Sequence, residues 1–204
     1  VYKRQSHARA HSYKAWVLRS SGRLPEALHA AERAAAIDPH SLLNRHSLAW
    51  NLFCTGRPED ALQIERQIRN VQPHIDLGHA YVAIFAAWLG EYDEAVAAGR
   101  EAVRITGNNP AIATAYSYAL ARSGDREAAR RLIQRALGKS LPRAPLPHAA
   151  MTYVALDEPE RALELLVKAW DEHCPWLPGS RFDPRLDGLA DDAGFDQLYA
   201  KTWR

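Results

Sequence analysis

One period constrains this chain more than any other feature. Gly22-Arg23-Leu24-Pro25-Glu26-Ala27 is followed 34 residues later by Gly56-Arg57-Pro58-Glu59-Asp60-Ala61. Gly90-Glu91-Tyr92-Asp93-Glu94-Ala95 and Gly124-Asp125-Arg126-Glu127-Ala128-Ala129 follow at the same spacing. Each copy is a glycine, a short polar or proline-bearing turn, and an alanine. A fixed period of this length signals stacked supersecondary units, none of which buries its apolar face alone.

The residues between the turns read as pairs of helices. The first unit spans about 8–41. Its first helix carries Ala15 and Leu18, and its second carries Ala27, Leu28, Ala31, Ala34 and Ile37 before Asp38-Pro39. Proline cannot continue the helical hydrogen-bond ladder, so it separates one unit from the next. The second unit, 42–75, ends at Gln72-Pro73, and the third, 76–109, at Gly107-Asn108-Asn109. Tyr81 to Leu89 is apolar all round and is expected between neighbouring helices. A fourth unit covers 110–142. A degenerate fifth covers 143–170, with Asp157-Glu158 where the glycine belongs.

Residues 1–7 have no period of their own and are expected to be a lead-in, with helix beginning near Ala8. The segment 171–204 breaks the pattern. Cys174-Pro175-Trp176-Leu177-Pro178-Gly179 does not suit a helix interior, Asp183-Pro184 opens a short helical segment, and Phe195, Leu198, Tyr199 and Trp203 form an apolar stripe. A solenoid leaves the outer face of its last unit unpaired, so 171–204 is expected to be a capping tail.

Composition narrows the function. The formal net charge of +2 argues against a broad nucleic-acid footprint. No apolar run reaches the roughly 18 residues of a membrane span. The two cysteines, Cys54 and Cys174, suit neither a zinc framework nor a disulfide scaffold, and a cytoplasmic location is the expectation. The chain begins with Val rather than Met and is read as part of a longer parent.

These landmarks resemble the tetratricopeptide repeat (TPR). Small residues fall at Ala15, Ala49, Ala83 and Ser117, alanine at Ala27, Ala61, Ala95 and Ala129, and proline at Pro39 and Pro73. The usual tryptophan is replaced by His11, Arg45, His79 and Ala113, and the usual large residue in the second helix survives only as Ile133. The resemblance covers about 8–170. It implies an all-α, right-handed superhelical solenoid of about five helix-turn-helix repeats with a C-terminal capping segment. At close helix crossings only small side chains fit, so a large residue at Ala49 or Ala61 should overpack the pair, at about 1–3 kcal/mol.

The resemblance further implies a non-catalytic protein-interaction module with a peptide partner on the concave face. The face so implied holds Arg9, Ser12, Trp16, Arg19, His46, Trp50, Phe53, Ile84, Trp88, Thr114, Tyr118 and Arg122. Aromatic side chains supply contact area and arginine anchors carboxylates. The competing reading packs these aromatics between helices or under the tail. A clamp for chaperone C-termini is not expected, because its Lys and Asn positions hold Ser12, Trp16, Ser47, Leu77 and Tyr81.

No catalytic, cofactor or metal site is expected. His7 and His11 share a helical spacing without a third ligand, and His46 and Cys54 are two helical turns apart. Phe182 to Leu189 and Asp192 to Leu198 resemble the endings of TPR regions appended to bacterial signalling and regulatory proteins. The alternative function is therefore a C-terminal regulatory region of a bacterial signalling enzyme, such as a class III nucleotidyl cyclase, or of a transcription regulator. Self-association through the solenoid ends is a third reading.

Overall fold

The structure is a computed structural model and describes residues 2–107, 109–138 and 146–202. Ten helices form five consecutive antiparallel pairs: α1 (Tyr2–Ser20) with α2 (Leu24–Ile37), α3 (Leu42–Cys54) with α4 (Pro58–Val71), α5 (Asp76–Leu89) with α6 (Tyr92–Thr106), α7 (Pro110–Ser123) with α8 (Arg126–Leu137), and α9 (Leu146–Ala155) with α10 (Pro159–Asp171). After them come a one-turn helix α11 (Leu177–Ser180), a 3-10 helix (Pro184–Leu189) and α12 (Ala193–Thr202). The described residues contain no strand. The helical solenoid expected from the repeats is the fold observed.

One backbone device sets the pairs. Gly22, Gly56 and Gly90 adopt φ of 74°, 79° and 83°, the left-handed region that side-chain-bearing residues avoid. The next residue's N–H then reaches back to the preceding helix: Arg23 to Leu18 O at 2.9 Å, Arg57 to Leu52 O at 2.9 Å, Glu91 to Ala86 O at 2.8 Å. This Schellman arrangement satisfies carbonyls that a helix end leaves open. The fifth pair makes the same bond, Glu158 N–H to Tyr153 O at 2.9 Å, with Asp157 at φ 55° in place of glycine. His173, at φ 51°, ends α10 the same way, with Cys174 N–H on Ala169 O at 2.8 Å.

The small residues lie where the helices meet. Ala15, Ala49, Ala83, Ser117, Ala27, Ala61, Ala95 and Ala129 are all fully buried, as are Ala34, Ile68 and Ala102. Departures from the pattern are compensated by neighbours. Gly99 stands where a large residue is usual, and Tyr116 of the next helix fills the space: a Cβ on Gly99 would lie 2.6 Å from Tyr116 Cδ2 and 2.9 Å from its Cα. His79, in place of tryptophan, donates from Nε2 to Pro73 O at 2.9 Å.

One boundary differs from the sequence expectation. The first helix starts at Tyr2 rather than near Ala8, because a helix once formed extends cheaply through residues with no breaker. Helix α9 starts at Leu146, with Pro147 in its first turn, where its missing N–H costs nothing. Residues 143–145 of the expected fifth unit and Trp203 of the expected apolar stripe lie outside the described residues.

Replacing glycine by alanine inside a helix ordinarily gains about 0.5–1 kcal/mol. At Gly99 the sign should reverse. Gly99→Ala is expected to lose about 1–3 kcal/mol in a urea titration, because the backbone of α7 must move away from α6.

Candidate functional site

The left-handed turn at His173 sends the chain back across the repeats. α12 packs beside α10, with Gly194 against Leu163 and with Phe195, Leu198 and Tyr199 buried. The stretch from Trp176 to Leu189 reaches as far as the first pair. Phe182 lies over Gly22, where a Cβ would meet its ring at 2.6 Å. Gly179 sits against Ser20 Oγ, and Trp176 meets Trp16 edge to face at 6.5 Å. Gly188 lies against Val154 on α9. Leu177, Leu186 and Leu189 are each at most 2% exposed.

At the centre is an ion pair. The Arg185 side chain is 1% exposed and that of Asp183 is 3% exposed. Arg185 Nε donates to Asp183 Oδ1 at 2.9 Å and Nη2 to Oδ2 at 2.7 Å, while its backbone N–H donates to Oδ1 at 3.0 Å. Asp183 therefore caps the 3-10 helix and neutralises the guanidinium together. Burial pushes the Asp183 carboxyl up, but the charge and hydrogen bonds of Arg185 outweigh it and hold the group below the usual carboxylate range. The Arg185 guanidinium also lies 5.2 Å from the Trp50 ring centroid and 5.4 Å from that of Tyr118. Such cation–π contacts are worth about 2 kcal/mol when desolvated.

Around this centre the expected residues divide. Trp50, Phe53 and Trp88 join one aromatic cluster with Tyr81 and Phe85: Trp50–Phe85 at 5.4 Å, Phe53–Phe85 at 4.9 Å, Phe53–Trp88 at 5.4 Å, Trp50–Tyr81 at 5.2 Å. Arg19 lies 5.9 Å over Trp50, and its Nη1 is 4.0 Å from Cys54 Sγ. Arg122 lies 5.6 Å over Trp88 and donates to the Tyr118 hydroxyl at 3.2 Å. Trp16 meets the tail through Trp176, and Ile84 is buried in the same core as Phe53 and Tyr118.

The other expected residues have different partners. The Ser12 hydroxyl donates to Asn44 Oδ1 at 2.8 Å, tying the first pair to the second. Thr114 bonds Ala111 O at 2.7 Å within its own helix. His46 Nδ1 lies 2.9 Å from both carboxylate oxygens of Glu65, a fully buried acid. Burial pushes the Glu65 carboxyl up, opposed by His46. Arg9 is exposed on α1.

Burial governs the other ionisable groups. It pushes the Cys54 thiol up to about 11 and the Tyr81 hydroxyl up to about 12. It pushes His148, on α9, down to about 4, helped by the charge of Arg185. A thiol held that high carries little thiolate, so Cys54 is a poor nucleophile. Sequence reasoning missed Arg185, Asp183, Tyr81, Phe85 and His148 as parts of this face. The one local signal was Asp183-Pro184-Arg185, which announces a capped helical start but not its destination.

The family model for the tetratricopeptide repeat matches residues 4–143. The chain belongs to the tetratricopeptide-repeat family. No curated protein matches its sequence. Among solved structures the TPR chain is similar to TTC0263, a thermophilic TPR protein of Thermus thermophilus, at 18% identity and a TM-score of 0.66, over 95% of this chain and 97% of that one. It is similar to pilF of Pseudomonas aeruginosa at 17% identity and a TM-score of 0.54, over 88% and 82% of the two chains. MamA of MSR-1 matches at 19% identity and a TM-score of 0.50, over 83% and 97%. At these identities the likeness is one of fold.

Breaking a buried pair by removing one partner leaves the other charge uncompensated, at about 3–5 kcal/mol. Arg185→Met and Asp183→Asn should each cost that much in thermal or urea unfolding. The double variant should cost less than the two single losses added, since neither buried charge then remains.

Proposed function

We propose that this chain is a non-catalytic protein-interaction module whose concave face grips an extended or helical peptide segment. The observation that carries the reading is the seat of residues 174–189, with Arg185 held between Trp50 and Tyr118. A face of aromatic rings and arginines already holds a peptide here, and the peptide is the chain's own. The proposed groove residues are Trp16, Arg19, Trp50, Phe53, Ile84, Trp88, Tyr118 and Arg122, with Arg9, Ser12, His46 and Thr114 at its margins.

The resident segment sets the terms for any partner. Returning Leu177, Leu186 and Leu189 to water costs about 1.5–3 kcal/mol each. A micromolar complex is worth only about 8 kcal/mol, so a partner that displaces the tail spends most of its affinity doing so. The tail is the groove's ordinary occupant, and a partner uses the groove when the tail is loosened. This favours the second reading as well. A self-occupied groove suits intramolecular control within a longer regulatory protein, such as a bacterial signalling enzyme or a transcription regulator.

Capture of protein partners by the full chain, by Arg185→Ala and by Arg185→Ala/Trp50→Ala tests the reading, with helicity checked for each. A partner bound about tenfold more tightly by Arg185→Ala, and lost again with Trp50→Ala, is the expected result. Equal capture by all three would place the partner away from the concave face and end the groove reading.

A further inference from the structure

On the proposed role of the face that holds the tail, the tail itself shows what a partner must bring there. Phe182 to Leu189 is held nearly residue by residue. The Phe182 ring lies over Gly22, so close that a Cβ there would meet it at 2.6 Å. Asp183, Arg185, Leu186 and Leu189 are buried. At Gly188 a Cβ would lie 2.9 Å from Val154 Cγ1, so a side chain there would push Val154 of α9 aside. Asp187 is exposed and carries no such constraint.

Charge makes two of these residues act as one signal. The Arg185 guanidinium lies 5.2 Å from the Trp50 ring centroid and 5.4 Å from that of Tyr118. The first helices give it rings but no acid: among the described residues its one ion pair is with Asp183. Arg19 already lies 5.9 Å over Trp50. A second cation brought here alone would be desolvated beside a like charge. It must therefore carry its counter-charge with it. Asp183 supplies that charge from two residues upstream, accepting from Nε, Nη2 and the backbone N–H of Arg185. Pro184 between them has no N–H to leave unpaired, and its fixed φ suits the first turn of the 3-10 helix. A lysine lacks the planar fork that meets both carboxylate oxygens while lying against a ring.

We propose that Trp50 and Tyr118 form a receptor for a Phe-Asp-Pro-Arg-Leu-like segment of another protein, in which an arginine arrives with its own carboxylate two residues before it. Aliphatic residues one and four positions after the arginine complete the segment, as Leu186 and Leu189 do in the tail. A second copy of the chain carries the same segment but gains nothing by exchanging it, since every seat it fills is one that its own tail leaves. A partner that meets these terms replaces the tail's contacts one for one. Any contact it makes beyond them shifts the exchange in its favour.

The test is fluorescence anisotropy with a fluorescein-labelled peptide of residues 180–190, on the full chain carrying Asp183→Asn and Arg185→Met, whose own tail lacks the signal. The peptide should bind with a Kd of about 100 μM or tighter. Peptides carrying Arg185→Ala, Arg185→Lys or Asp183→Asn should each bind at least about tenfold more weakly, and so should the unaltered peptide on a chain that also carries Trp50→Ala. If the doubly substituted chain does not fold, the native chain decides. There the peptide at about 1 mM should raise amide exchange across residues 177–189 about tenfold, by binding the chain whenever its tail opens, and the Arg185→Ala peptide should not. Absence of binding to the folded variant up to about 1 mM, or unchanged exchange in the native chain, overturns the proposal. Equal binding by the altered peptides overturns it too, but leaves the face as a peptide site if Trp50→Ala still abolishes binding. Binding that ignores Trp50→Ala ends both. Dimers of the native chain that the added peptide dissociates would assign the site to a second copy's tail, which also overturns the proposal.

Discussion

Helices that meet through alanine can approach to about 8–10 Å, and little else in this chain would let them. Ala15 with Ala27, Ala49 with Ala61 and Ala83 with Ala95 are buried to the last atom. The close approach fixes each hairpin, and the left-handed turns fix how far apart the hairpins recur. A stack built this way puts its first helices side by side on one face. Trp50, Phe53, Trp88 and Tyr118 all come from those first helices and meet the tail or one another there.

A surface with that much aromatic area does not stay open to water when a covalently attached segment can reach it. The tail's aliphatic residues supply the driving force, and the Asp183–Arg185 pair supplies the register. A buried ion pair is weak evidence of net stability, since desolvation offsets most of its attraction. Its value here is selective. The guanidinium has its counter-charge two residues away in sequence, and two ring faces on α3 and α7 fit it. A tail shifted along the first helices would keep Asp183 but lose the rings.

How much of this the sequence disclosed depended on range. The repeats were legible because each landmark acts locally: Gly56 turns the chain where it stands, and Pro73 stops a helix at once. Even the compensation of Gly99 by Tyr116 was within reach, since a missing large residue and an extra one fall in adjacent helices. The tail's course was not. Arg185 gives no local sign that it belongs with Trp50 and Tyr118, and a Trp-Leu-Pro-Gly segment reads equally well as an end cap. His46 and Ser12, expected on the concave face by position, also bond the acid of Glu65 and the amide of Asn44, partners that repeat spacing does not announce.

The contact between the tail and the first hairpin is the most direct place to test this account. A Cβ on Gly179 would lie 4.0 Å from Ser20 Cβ. That falls within the roughly 3.5–4.5 Å that a disulfide spans. In the Ser20→Cys/Gly179→Cys chain, with Cys54 and Cys174 left in place because both are buried, mild oxidation followed by peptide mapping reads the contact. The account predicts one intramolecular link between positions 20 and 179, in a chain of unchanged helicity. Free thiols at both positions in a folded, oxidised chain would show that the tail does not lie against the first hairpin.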